Sequence, residues 1–148
     1  MKKRLIYAAI PFLALLGANS TFGTTIPAGT TLAVRTLETI TSVDTIGTRF
    51  PTELAGNVVL NGKVLLHTGT RFSGRVVTSR RLHSSNARLT VELTQAAIGG
   101  KTVPVKTNVY QVDNNRFKSR NDVSVSRAGY PVNVGTVLHF RLAQPMQL

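Results

Sequence analysis

Apolar and polar residues alternate without a break from Arg88 to Thr94, where Leu89, Val91 and Leu93 stand between Arg88, Thr90, Glu92 and Thr94. A period of two sends one set to the buried face of a sheet and the other to water, so this reading puts Glu92 on the wet face. Val137 to Leu142 repeats the pattern, with Leu138, Phe140 and Leu142 on the core face and His139 outside. Gly99-Gly100 offers a tight turn from the first of these segments into a strand at Thr102 to Thr107. Asn61-Gly62, between Val58-Val59-Leu60 and Val64-Leu65-Leu66, predicts a second hairpin, because a two-residue turn of this kind needs positive φ at both positions. Beyond the N-terminal segment no stretch sustains a helical period; Ala87 to Ala97 invites a helix by composition, but its period is two. The expected core is Leu32, Val34, Val58, Leu60, Phe72, Val76, Leu89, Val91, Leu93, Val103, Val105, Leu138, Phe140 and Leu142.

One phrase recurs. Pro27-Ala28-Gly29-Thr30-Thr31-Leu32 is echoed by His67-Thr68-Gly69-Thr70-Arg71-Phe72 and by Asn133-Val134-Gly135-Thr136-Val137-Leu138. Each sets Gly-Thr directly before an alternating strand, glycine for a backbone conformation other residues resist and threonine to start the strand. The spacing is too irregular for a solenoid. A sheet entered repeatedly through one type of turn explains it better. The expected fold is therefore all-β, a small closed or partly open β-barrel of Greek-key, SH3-like or double-psi-like type, and closure would remove exposed edges. The stretch from Asp113 to Asn133 breaks the pattern: its first half is polar and basic, and it reads as a long exposed connection with a weak strand at Val123 to Val125. A connection of that length is either functional or disordered.

The N-terminus is of another kind. Lys2, Lys3 and Arg4 precede an apolar run from Leu5 to Leu16, followed by Gly17-Ala18-Asn19-Ser20. That order is the layout of a cleaved secretory signal helix. Cleavage after Ser20 fits best, with Gly23 as the alternative site; a permanent anchor is the weaker reading, because a spanning helix needs roughly 20 apolar residues. Taking 1–23 as the signal and 24–148 as one barrel domain leaves about 125 residues, enough for a single core. Cysteine is absent, so the core holds by packing alone and no lipid-modified cysteine is available. A periplasmic or extracellular location, with association to a bacterial envelope, is expected. Removing Lys2, Lys3 and Arg4 from the 18 basic residues leaves 15 against 6 acidic ones, a net charge of +9. Charge of that size bears on partners and solubility. Lipopolysaccharide, wall polymers, acidic proteins and nucleic acid all fit, and so does plain solubility.

The residues offer little catalytic chemistry. His67, His83 and His139 lie on separate segments without paired spacing, so no metal site is expected. Glu38, Asp44, Glu53, Glu92, Asp113 and Asp122 face an excess of cations and read as ion-paired; Glu92 has Arg75 or Lys106 as cross-strand partners. There is no cysteine nucleophile, Gly-x-Ser-x-Gly elbow or phosphate-cradling loop, so neither an enzyme nor a cofactor is expected. Two arginine-rich clusters stand out: Arg80, Arg81 and Arg88, with His83 beside them, and Arg116, Lys118, Arg120 and Arg127, with Phe117 and Tyr130 nearby. The guanidinium fork suits bidentate contact with phosphate or carboxylate. Basic and aromatic residues together would also suit single-stranded nucleic acid, although export makes that partner the less expected one. The bland alternative is that both clusters are solvated loop charges.

Ile26-Pro27-Ala28-Gly29-Thr30, the strand Gly69-Thr70-Arg71-Phe72-Ser73-Gly74-Arg75-Val76 and the closing Gly135-Thr136-Val137-Leu138 together resemble a known framework. It is the periplasmic barrel domain of TrbI-like conjugal-transfer proteins, the outer-membrane core subunits of type IV secretion channels, and of small exported bacterial proteins similar to it. The resemblance implies a barrel that binds envelope partners through its edges or loops, as a monomer or docked into a ring. The chain departs from those subunits in lacking their late helical excursion, N-terminal membrane helix and proline-rich linker, and the polar Asp113 to Asn133 segment stands where the similar small proteins often insert a glycine-rich apolar hairpin, so pore formation is not expected. Thr48, in the Ile46-Gly47-Thr48-Arg49-Phe50 turn, stands where the similar proteins usually have Asp. The resulting expectation is a non-catalytic exported envelope module. Its alternative is a polyanion-binding periplasmic protein acting through the two arginine clusters.

Overall fold

The computed structural model describes residues 23–79, 88–112 and 131–148. The expected signal helix, His83 and the strand expected at Val123 to Val125 lie outside them. No described helix is long and apolar enough to cross a membrane. The described chain is all-β. It passes through β1 (Thr25–Ile26), β2 (Thr31–Thr36), β3 (Ile40–Thr41), β4 (Arg49–Leu54), β5 (Val58–Leu60), β6 (Lys63–Leu66) and β7 (Arg71–Thr78). It continues through β8 (Thr90–Ile98), β9 (Lys101–Pro104), β10 (Tyr110–Gln111), β11 (Pro131–Val132), β12 (Val137–Arg141) and β13 (Met146–Gln147).

The principal sheet runs β10-β8-β7-β4-β2-β12, every pair antiparallel, with β9 sharing the edge of β8 with β10. It curls into an open half-barrel. Once the short pairs β3–β11 and β5–β6 are set aside, β2, β4, β7, β8 and β10 are neighbours in chain order, and the last long strand, β12, crosses back to lie beside the first, β2. The two ends of the curl meet at one place. Thr107 bridges Leu142, Asn108 N–H donates to the Arg141 carbonyl at 2.9 Å, and Ala143 N–H donates to Lys106 at 2.9 Å. Across the same junction the Tyr110 and Phe140 rings tilt together with centroids 5.6 Å apart.

Alternation decides what fills the curl. Leu32 and Val34 of β2, Phe50 and Leu54 of β4, Phe72 and Val76 of β7, Val91 and Leu93 of β8, and Leu138 and Phe140 of β12 are buried together, joined by Ile26, Ile40 and Met146 from the short strands. Twelve of the fourteen expected core residues are buried; Leu60 and Val103 are only half-buried. Leu60 belongs to the β5–β6 hairpin outside the principal sheet, and Val103 to the edge strand β9. Phe50 fills a space that glycine leaves: a Cβ at Gly74, its cross-strand partner, would lie 2.3 Å from the Phe50 ring. Both expected hairpins form. Asn61 and Gly62 have φ of 51° and 75°, and Gly99 and Gly100 have 56° and 76°.

The Gly-Thr phrase folds alike wherever it occurs. Gly29, Gly69 and Gly135 have φ of 87°, 87° and 84°. Their N–H groups donate to Leu142, Leu54 and Thr36, and the N–H of each of those residues returns a bond to the threonine carbonyl that follows the glycine. Two residues of one strand thus face one of its neighbour, a bulge with glycine at its head. The hydroxyls of Thr30, Thr70 and Thr136 close each turn on the carbonyls of Pro27, His67 and Asn133 at 2.7 to 2.8 Å. Gly47-Thr48 forms a fourth copy, with φ of 90° and the same paired bonds to Val76. So β2, β4, β7 and β12 are all entered through one device.

Candidate anion-binding surface

The antiparallel sheet gives the half-barrel two ends with different connections. At one end lie the turn at Gly29, the β5–β6 hairpin and Gly99-Gly100; at the other lie the links from β2 to β4, from β7 to β8 and from β10 to β12. Of the expected anion-binding residues, Arg80, Arg81, Arg116, Lys118, Arg120 and Arg127 lie outside the described residues. Their attachment points are described. Residues 80–87 join Ser79 to Arg88, and residues 113–130 join Val112 to Pro131. Val112 N–H donates to the Leu89 carbonyl at 2.9 Å, and the Arg88 carbonyl accepts the Thr78 hydroxyl at 2.9 Å. The two arginine-bearing connections therefore spring from adjacent strands at one end of the sheet, although some 30 residues separate their starting points (Ser79 and Val112) in sequence. Arg88 itself is exposed there.

The outer face carries a second set of charges that the linear sequence does not group. Arg35, Glu53 and Arg71 stand opposite one another across β2, β4 and β7. Four residues along these strands, Arg49, Arg75 and Glu92 form a parallel row across β4, β7 and β8, which Lys106 extends. Glu92 pairs with Arg75 and lies 3.7 Å from Lys106; Glu53 lies 3.7 Å from Arg35. These are the partners expected for Glu92, but its burial corrects the expectation of a wet position: its side chain is 7% exposed against 48% for Arg75 and 57% for Lys106. Both cations that pair with the carboxylate stay about half exposed to water. Arg49 and Arg71 have no carboxylate within ion-pair distance among the described residues. Arg49 instead faces Arg75 directly, an arrangement that disfavours the bare sheet.

Between the two charged rows runs an uncharged one, Pro51, Ser73, Gln95 and Pro104. A shallow groove of about 180 Å³ opens along its Arg71 side, lined by Arg71, Ala97 and Thr102 of one row and by Ser73 and Gln95 of the uncharged row, among others. Small side chains make the depression, and the shift in register opposite Ser73 and Gly74, which leaves Thr94 as the extra residue, bends β8 beside it. Sequence reasoning missed this surface. The signal was the period of two in Arg49-Phe50-Pro51-Thr52-Glu53 and in Arg71-Phe72-Ser73-Gly74-Arg75, which sets the charged residues on the face opposite the aromatic ones. What brought the rows together is register, which neither segment states alone.

His67 and His139 are exposed on separate strands and turns, and among the described residues no three of His, Asp and Glu converge on a point. No protein-family model matches the chain, and no curated protein aligns with it significantly.

Proposed function

We propose that this protein is an exported, non-catalytic module of the cell envelope that engages an anionic partner at the end of the half-barrel carrying residues 80–88 and 113–130. The observation that carries the reading is the bond between Val112 and Leu89, which sets the roots of the two connections side by side. All seven of Arg80, Arg81, Arg88, Arg116, Lys118, Arg120 and Arg127 belong to those connections. Export rests on the charge, apolar run and small residues of the N-terminus. Closure of the curl into a barrel through Thr107 and Leu142 belongs to the same reading, as does the likeness to the barrel of TrbI-like channel subunits. What favours that likeness is its characteristic turn, formed at four strand entrances.

Binding of the exported protein to lipopolysaccharide and to isolated anionic wall polymer, titrated with salt, tests the proposal. Affinity for one of them falls steeply as salt rises, because neutralised charges release counterions. Combined replacement of Arg80, Arg81 and Arg88 by alanine removes most of that affinity. Affinity that survives both high salt and the triple replacement would instead favour docking through the barrel edge into a protein assembly.

A further inference from the structure

We infer that the outer face of β4, β7, β8 and β9 is a separate binding site for an anionic oligosaccharide, seated on the uncharged row and in the groove that opens along its Arg71 side. Three observations meet there. The first is unpaired positive charge: Arg71 at the rim of the groove and Arg49 in the far row have no carboxylate partner among the described residues, and Arg49 faces Arg75. An incoming anion would relieve that juxtaposition, whereas a sheet selected for stability alone would place opposite charges there.

The second is the lining. Ser73, Gln95 and Thr102 hold two hydroxyls and an amide on one wall, and none of these side chains bonds to another described residue. Hydroxyls and an amide match the donors and acceptors of a sugar, while the Arg71 fork matches a carboxylate. The third is what the face lacks. The aromatic rings of the flanking strands, Phe50 and Phe72, are turned inward and buried, so no described ring is offered for stacking a nucleic-acid base. The two rows lie four residues apart along the strands, about 13 Å at roughly 3.3 Å per residue. A chain lying along the uncharged row therefore meets guanidinium groups on both flanks.

The site is independent of the end described above, and its test keeps the two apart. The exported protein is titrated with oligogalacturonate, with a neutral glucose oligosaccharide of the same length and with inorganic polyphosphate, while amide chemical shifts are followed. Oligogalacturonate binds and moves the Ser73, Gln95 and Thr102 amides; the neutral sugar does not, and polyphosphate binds more weakly. Arg71→Gln weakens binding roughly tenfold, the scale of one charge-assisted hydrogen-bond pair. Arg71→Lys, which keeps the charge and loses the fork, recovers only part of it. The combined Arg80, Arg81 and Arg88 alanine variant keeps the same shifts at these three amides. Equal movement of the Ser73, Gln95 and Thr102 amides by polyphosphate, their indifference to Arg71→Gln, or their loss only in the triple variant would each overturn the assignment. Unchanged thermal melting of the Arg71 variants separates a lost contact from a lost fold.

Discussion

At the scale of single residues, the most constrained position is Gly74. The ring of Phe50 occupies the space a side chain would need, with three of its carbons 2.3 to 2.8 Å from where a Cβ would sit. Gly74→Ala must therefore push an aromatic ring out of a filled core, and overpacking of this kind costs typically about 1–3 kcal/mol. Urea unfolding should place the variant at the upper end of that range. Glu92 is the other position where one side chain carries several contacts. Arg75→Met leaves its buried carboxylate with Lys106 alone, 3.7 Å away, and is expected to cost more than Lys106→Met. The loss is on the order of 1–3 kcal/mol for a charged hydrogen bond, at the lower end because Arg75 is half-exposed. Equal effects of the two substitutions would show that Glu92 does not depend on Arg75. Alternation announced the partners of Glu92 but not its burial, because burial on that face is set by several strands at once.

At the scale of elements, the Gly-Thr turn is the unit of construction. Its glycine must hold a positive φ that L side chains resist by about 1–2 kcal/mol. Gly69→Ala and Gly135→Ala should each lose stability by that amount in denaturant titrations, although nothing lies within 4 Å of an added Cβ at either site. Gly56 is the control: it too has open space, and its φ is not positive. Gly56→Ala should be neutral within about 0.5 kcal/mol. Equal losses at all three would mean that the turn conformation is not what the glycines supply. Much of this layer could be read from the chain. Asn61-Gly62, Gly99-Gly100 and the strands read at Arg88 to Thr94 and Val137 to Leu142 are local patterns; both turns form, and the strands form as β8 from Thr90 and β12 to Arg141. The turn at Gly47 is also readable in Ile46-Gly47-Thr48-Arg49-Phe50, but it does not group with the other three because Asp44-Thr45-Ile46 does not look like the residues that precede them.

At the scale of the whole molecule, what matters is which parts the curled sheet brings together, and that was not legible. Nothing in the residues themselves says that Val112 returns to Leu89, or that Arg35, Glu53 and Arg71 line up across three strands. Register is set by the summed burial of both faces and by the turns. The junction of Thr107 with Leu142 is of the same kind. Thr107 is buried, and its hydroxyl accepts the Leu93 N–H at 3.0 Å where β8 lies between β9 and β10. Thr107→Val keeps the shape and strands that donor, at a cost of about 1–3 kcal/mol; hydrogen exchange at Leu93, Asn108 and Ala143 should quicken together. Quickening confined to Leu93 would mean that the junction holds without it. The central claim is that one end of the half-barrel faces the partner, and site-specific photo-crosslinking in intact cells tests it most directly. A photoreactive residue is placed at Gln111 or Val134 at that end, or at Asn61 in the opposite hairpin, all three exposed. The account predicts a discrete envelope adduct from Gln111 and Val134 and none from Asn61. The same adduct from Asn61, with none from the other two, would contradict it.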